Sequence, residues 1–398
     1  MSKRVGGFIN QDGLNAPDAP TGVSGTAGNT QVTVSFTPPT DVGGANVTGY
    51  RVQSNDGIGA SGSSSPVTVT GLTNGTSYTF NVWAINPFGW SSPSDASGSV
   101  SPAAARGIFA GGFTGSDGSN VMDYITISST GNATDFGDLS ATLYNHGGFS
   151  SSTRGITGGG LLGGSVTNVI EYVTIATTGN STDFGDLLNT ISGNSGCANS
   201  TRGLMLGGYT APDIQDLIQY VTIATTGNST DFGDLLSARR FLCGALASPT
   251  RGVTSGGEGA GNAKSNVIQY VTIATTGNST DFGDLSSVAA FGSSSCNSTR
   301  GLISLGDNNS GVVNTVEFIT IASVSNSSDF GDLTTARQYT GSTSGGDRAV
   351  FGGGDTGSAS NTIDYFTITS AGNATDFGDL TVARGRSSTM SNAHGGLS

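Results

Sequence analysis

The sequence predicts an all-β protein: an antiparallel sandwich over residues 17–103, then a six-bladed β-propeller over residues 104–398, closed by a C-terminal strand. Three observations carry that expectation. Glycine fills 65 of 398 positions, while hydrophobic residues reach only 34% and charged residues 11%. One pattern recurs six times at intervals of about 48 residues. Upstream of it, β-branched and aromatic residues alternate with polar ones between turn signals.

The composition excludes a helical enzyme and a coiled coil. Its Val, Ile and Thr content argues against disorder. Acids outnumber bases 28 to 15, for a net charge of −13, so no basic face for nucleic acid is expected. Cys197, Cys243 and Cys296 are odd in number and widely spaced, which rules out complete pairing and a C-x-x-C zinc site. No apolar run reaches membrane length, and Met1–Asn10 has a positive head without a signal-peptide core. A soluble chain folding in a reducing cytoplasm is expected, without membrane insertion, cofactor or metal.

In order along the chain, residues 1–16 read as a leader that anchors the protein. Val32–Pro39, Gly49–Val52 and Val67–Leu72 are alternating strands. Thr73-Asn-Gly-Thr-Ser-Tyr78 then leads into the apolar run ending near Trp90, and Ser99–Ala105 is a linker. Beyond it, Asp-Phe-Gly-Asp-Leu begins at Asp135, Asp183, Asp231, Asp281, Asp329 and Asp376. An aromatic precedes each copy (Tyr124, Tyr172, Tyr220, Tyr270, Phe318, Tyr365), and an arginine lies further upstream (Arg106, Arg154, Arg202, Arg251, Arg300, Arg348). Most copies carry a glycine pair within six residues of that arginine; the fifth has Gly306-Asp307.

One unit reads as four strands, a to d. In the fourth these lie near 241–247, 251–257, 266–274 and 285–290. So small a unit cannot bury both faces alone and must stack on its neighbours. The first unit starts at strand b, and the last runs on into an extra strand a near residues 386–393. That strand can complete the first unit and close the ring, removing exposed edges; the alternative is an open β-solenoid.

Residues 17–103 resemble a fibronectin type III sandwich. Leu72 and Tyr78 stand where that family has its tyrosine corner, and Phe36 takes the place of the strand-B Trp. The repeats resemble kelch repeats: Gly207-Gly208, Tyr220, Phe232 and Arg239 follow the kelch order, with Phe232 at the Trp position. The repeat from Tyr172 to Leu187, together with Lys3 to Phe8, resembles virion structural proteins of tailed phages of marine cyanobacteria.

The Asp-Phe-Gly-Asp-Leu copies are expected to be structural turns between strands c and d, with calcium bound by the Asp pairs as the alternative. They supply 12 of the 28 acids, so the acidity is largely architectural. No kinase partner motif accompanies Asp-Phe-Gly. His146 and His394 lie too far apart in the repeat for copper, and His394 is expected on the surface or in a turn. Gly57-Ile-Gly59-Ala-Ser-Gly62 fits a dinucleotide pattern by accident, and Asn180, Asn228 and Asn278 are turn residues rather than glycosylation sites. The cysteines are expected to be small packing residues in or near strand a.

The b–c loops differ in every unit, so recognition is sought there. The candidate binding residues are Tyr209, Asp213, Glu258, Lys264, Asp307, Asn308 and Asp355. The virion resemblance implies a non-enzymatic component of a tail, baseplate or fibre, assembled in the host cytoplasm and present in multiple copies. Its N-terminal region would contact other virion proteins, and its loops a host-surface receptor such as a glycan. A passive capsid-exterior decoration protein and a carbohydrate-active hydrolase are the alternatives.

Overall fold

The computed structural model describes residues 15–28 and 30–397. The expected leader, residues 1–16, lies outside them but for its last two positions. The chain forms two compact units meeting between Ala104 and Ala105. Among the described residues it is all-β, with two three-residue 3-10 turns and no α-helix.

The first unit has two antiparallel sheets. One orders Thr21–Gly28, Gln31–Thr37 and Val67–Thr70; the other orders Gly59–Gly62, Gly49–Ser54, Phe80–Asn86 and Gly89–Trp90. Period-two alternation decides which side chains enter the core, as in Phe80–Asn86, where every second residue is buried. Val32, Val34, Tyr50, Val52, Phe80 and Val82 form that core. Phe36 packs on Tyr50 with ring centroids 4.7 Å apart. The Tyr78 ring is buried, and its hydroxyl oxygen accepts the Thr73 backbone N–H at 3.0 Å, so the buried phenol has a partner.

The second unit has six four-stranded antiparallel sheets. The second to sixth each take four strands in chain order, a to d, with a short hairpin, Leu161–Leu162 and Ser165–Val166, inserted between strands b and c of the second; the third is Ser195–Ala198, Arg202–Thr210, Asp213–Thr222 and Thr230–Asp234. The first sheet draws strands b, c and d from Arg106–Phe113, Gly118–Thr126 and Thr134–Leu143. Its strand a is Ser388–Ser391, which pairs antiparallel with Arg106–Phe113. The apolar clusters lie between sheets: Phe149, Ile156, Ile170 and Phe184 of the second pack against Met205, Val221 and Ile223 of the third. Strand a of each sheet neighbours strand a of the next, and that of the sixth neighbours Ser388–Ser391.

Three repeated polar contacts join each sheet to the next. Strand d donates a backbone N–H to the turn asparagine of the following sheet: Asp138 to Asn180, Asp186 to Asn228, Asp234 to Asn278, Asp284 to Asn326, Asp332 to Asn373 and Asp379 to Asn132, all at 3.0–3.1 Å. The recurring arginine stacks over the aromatic of its own strand c, as Arg154 does over Tyr172 at 4.3 Å. Its Nη1 donates to an isoleucine carbonyl of the next sheet: Ile175, Ile223, Ile273, Ile321 and Ile368 in turn, and finally Arg348 to Ile127 at 2.9 Å. Third, a buried polar residue of strand c accepts a backbone N–H from the preceding sheet's chain: Glu171 from Ser140, Gln219 from Leu188, Gln269 from Leu236, Glu317 from Ser286, Asp364 from Thr334 and Asp123 from Thr381. In each series the last contact runs from the sixth sheet to the first.

The expected turn role of the six aspartates is corrected. Asp135, Asp183, Asp231, Asp281, Asp329 and Asp376 lie within strand d, and the fourth copy runs from Thr280 to Ala289 rather than near 285–290. The turn itself lies further upstream, at Ile175-Ala176-Thr177 in the second sheet, where the Thr177 N–H donates to the Thr174 carbonyl at 3.2 Å. The glycine of the motif forms a bulge: Gly185 has φ +145°, and the register shifts opposite Ile170 and Glu171. The phenylalanine then points into the inter-sheet core, with Phe184 edge-on to Tyr172 at 6.0 Å.

A channel with a charged aromatic mouth

Strands a of all six sheets line a cavity of about 170 Å³, with serine and threonine concentrated in the walls from the fifth, sixth and first sheets. Many of these hydroxyls donate across strands to carbonyls: Ser295 to Thr343, Ser342 to Ser294, Ser344 to Cys296 and Ser391 to Ser344, at 2.6–2.7 Å. This satisfies polar groups that the ladders leave over. At one end, His394 is half-buried, with Nε2 2.7 Å from the Ser150 carbonyl oxygen. The C-terminal chain folds inward there, bringing Gly395 against Cys296 and Asn297, and Gly396 against Ala198. The cysteines are buried; burial pushes the thiols of Cys197 and Cys243 up to about 12 and that of Cys296 to about 11, so reactive thiolate is scarce at neutral pH.

The other end is built from one residue per sheet, just before strand a: Asn145, Gly193, Phe241, Phe291, Tyr339 and Arg386. All six are left-handed, with φ between +50° and +67°. Each donates its N–H to the carbonyl of the one before: Gly193 to Asn145, Phe241 to Gly193, Phe291 to Phe241, Tyr339 to Phe291, Arg386 to Tyr339, and Asn145 to Arg386. The result is a closed cycle of six backbone hydrogen bonds. Left-handed backbone is costly for bulky residues and clusters at functional sites. Gly193 meets the requirement without a side chain, so the rings at the neighbouring positions are not demanded by the turn.

Those rings form the mouth. The centroids of Phe241, Phe291 and Tyr339 lie 4.7–6.0 Å apart. Arg386 stacks over Tyr339 at 4.3 Å and over Phe113 at 5.1 Å. Arg240 lies 5.1 Å from both Tyr209 and Phe241, and Lys264 lies 5.8 Å from Phe291. Arg240 pairs with Glu258 at 3.4 Å, and Lys264 pairs with Asp307. Burial raises the Glu258 carboxyl, against the lowering pull of Arg240 and Lys264. Burial pushes the Tyr339 phenol up to about 12, with Arg386 opposing and Glu258 and Asp355 reinforcing.

Of the residues chosen from sequence, the structure brings Tyr209, Glu258, Lys264 and Asp307 together around this mouth. Asp355 joins them through the bridge of its backbone to Gln338, beside Tyr339. Asp213 lies apart, exposed at the tip of the Arg202–Thr210 and Asp213–Thr222 hairpin, and Asn308 caps a turn by accepting the Ser310 N–H. Sequence reasoning missed Phe241, Phe291, Tyr339 and Arg386. Their 47- to 50-residue spacing was the available signal, but only Phe241 and Phe291 share a residue type, so no letter recurring through the units marked them. Among the described residues no three His, Cys, Asp or Glu side chains converge for a metal, and no helix is long and apolar enough to cross a membrane.

The strands define an all-β protein whose first unit is a tyrosine-corner sandwich. Residues 18–99 match the fibronectin type III domain family, and that segment is a fibronectin type III domain. One matching solved structure, a crystal structure of titin domains, is 30% identical over 22% of this chain and 32% of that one, with a TM-score of 0.22. The chain therefore spans about a third of that structure's length. No curated protein matches the chain.

Proposed function

We propose that residues 105–398 form a six-bladed, kelch-like β-propeller closed by Ser388–Ser391, and that the chain is a non-enzymatic virion component of a tailed phage. Closure, rather than an open solenoid, is supported by the three series of inter-sheet contacts that run from the sixth sheet to the first. The kelch-like assignment is supported by the glycine pairs and by the arginine stacked on the strand-c aromatic. A non-enzymatic role is supported by Glu171 and Glu317, which are occupied in inter-sheet hydrogen bonds rather than held free for proton transfer.

In this reading the N-terminal segment and the fibronectin domain attach the chain to other virion proteins at a tail, baseplate or fibre. The propeller presents the charged aromatic mouth to a host-surface glycan. The observation that carries the reading is the asymmetry of the two loop sets. The c–d turns are consumed in holding neighbouring sheets, whereas the b–c loops and the left-handed residues beside them carry side chains the fold does not require. Exchanging Glu258–Lys264 and Asp307–Asn309 for the Phe113–Asp117 loop sequence should reduce particle adsorption to host cells at least tenfold, with unchanged particle yield. Unchanged adsorption would refute the attachment role and leave a passive decoration protein.

A further inference from the structure

Within the second unit, nearly every cation has a partner. Six arginines each donate to an isoleucine carbonyl of the next sheet. Arg337 and Arg384 are buried in ion pairs with Asp364 and Asp123. At the mouth, Arg240 is neutralised by Glu258 and Lys264 by Asp307. Arg386 differs. Its guanidinium is held between the faces of Tyr339 and Phe113, and among the described residues it has neither an ion pair nor a side-chain hydrogen bond. Stacking fixes the plane and partly strips its water, while the N–H edge stays free to fork onto an oxyanion. Arg386 also lines the cavity, as do Ser387 and Ser294, whose buried hydroxyls lack partners among the described residues.

We infer that this mouth binds an acidic sugar, with Arg386 forking onto the carboxylate or sulfate and the Phe291–Tyr339 rings packing on the sugar's C–H face. The inference rests on the attachment reading and specifies its ligand class. The cavity, about 170 Å³, is smaller than the roughly 300 Å³ that houses a drug-sized ligand. It therefore takes one acidic residue of a longer chain. The nearby Asp355 makes no ion pair with Arg386 among the described residues; its Oδ1 accepts the Gly357 N–H at 2.8 Å.

The test is calorimetric titration of the full-length chain with a galacturonate tetramer, a sulfated galactose tetramer and a neutral galactose tetramer. At least one acidic tetramer should bind tenfold or more tighter than the neutral one, and the preference should fall in 0.5 M salt. Arg386→Asn copies Asn145, which holds the same left-handed position in the second sheet, and Arg386→Gly copies Gly193, so both should keep the native circular dichroism spectrum. Each should cost the preferred acidic tetramer at least tenfold in affinity and leave the neutral one unchanged. Equal binding of all three tetramers, or wild-type acidic binding by the folded variants, would overturn the inference. If the variants lose acidic binding yet particles carrying them adsorb normally, the inference stands and the attachment reading fails. If loop exchange abolishes adsorption but no acidic tetramer binds, the reverse holds.

Discussion

The sharpest stability test concerns the bulge glycine of the repeated motif. Gly185 has φ +145°, and a Cβ there would stand 2.5 Å from the Gly227 carbonyl oxygen of the next sheet's turn. Gly227 has a similar φ of +155°, but a Cβ added to it meets nothing within 4 Å. Gly185→Ala and Gly227→Ala therefore share the backbone strain, about 1–3 kcal/mol, and differ in the collision. Relieving the collision moves the turn. It breaks the bonds from Gly227 N–H to the Phe184 carbonyl at 2.8 Å and from Asp186 N–H to Asn228 Oδ1 at 3.0 Å. At about 1 kcal/mol net each, Gly185→Ala should be about 2 kcal/mol worse than Gly227→Ala. In a unit of about 300 residues that lowers Tm by roughly 3 °C more. Far-UV circular dichroism reads the melt. Both tryptophans, Trp83 and Trp90, lie in the fibronectin domain, so their fluorescence follows that unit separately. Coincident melts for the two variants would refute the inter-sheet role of the motif, as would a wild-type melt for Gly185→Ala.

Burial holds the His146 imidazole down at about 4, with the Ala110 backbone only partly opposing. The unfolded chain, near 6.5, takes up a proton the folded one refuses, so stability is full above about pH 6.5 and falls by up to about 3 kcal/mol as pH drops toward 4. His394, also depressed by burial, acts in the same direction. Urea midpoints between pH 7 and 4.5 should fall less in His146→Leu, which copies Leu242 of the fourth sheet; an equal fall would contradict this. Arg337→Met should cost about 3–5 kcal/mol by leaving the buried Asp364 carboxylate unpaired. Arg337→Ile with Asp364→Gln, which copies Ile191 and Gln219, should recover most of that loss in the same denaturation assay. No recovery would mean that the ion pair is not interchangeable with the neutral pairing.

Much of the strand order was legible because the repeat places an arginine, an aromatic and the Asp-Phe-Gly-Asp motif at fixed offsets in each unit. The tyrosine corner was legible through resemblance: Leu72 and Tyr78 stand where fibronectin type III domains have it, and the Tyr78 hydroxyl accepts the Thr73 N–H. The motif itself was misread. Glycine between two aspartates has the chemistry of a turn, and only the neighbouring sheet, which receives strand d through Asn180 and its equivalents, turns that segment into a bulged strand. His394 was placed only in part: its position in the repeat fits a surface or turn, but the chain there turns inward and leaves the ring half-buried.

What the sequence determined alone is local and periodic: which residues alternate, where the chain can turn, and how often the unit recurs. Those depend on side chains within one strand or turn. The tertiary structure decided what is shared between units, because the contacts concerned join residues 30 or more positions apart. The cycle of left-handed residues from Asn145 to Arg386 is the plainest case. Its hydrogen bonds are made by backbone alone, so the sequence was free to vary there, and that freedom is what placed three rings and an unpaired guanidinium at one mouth.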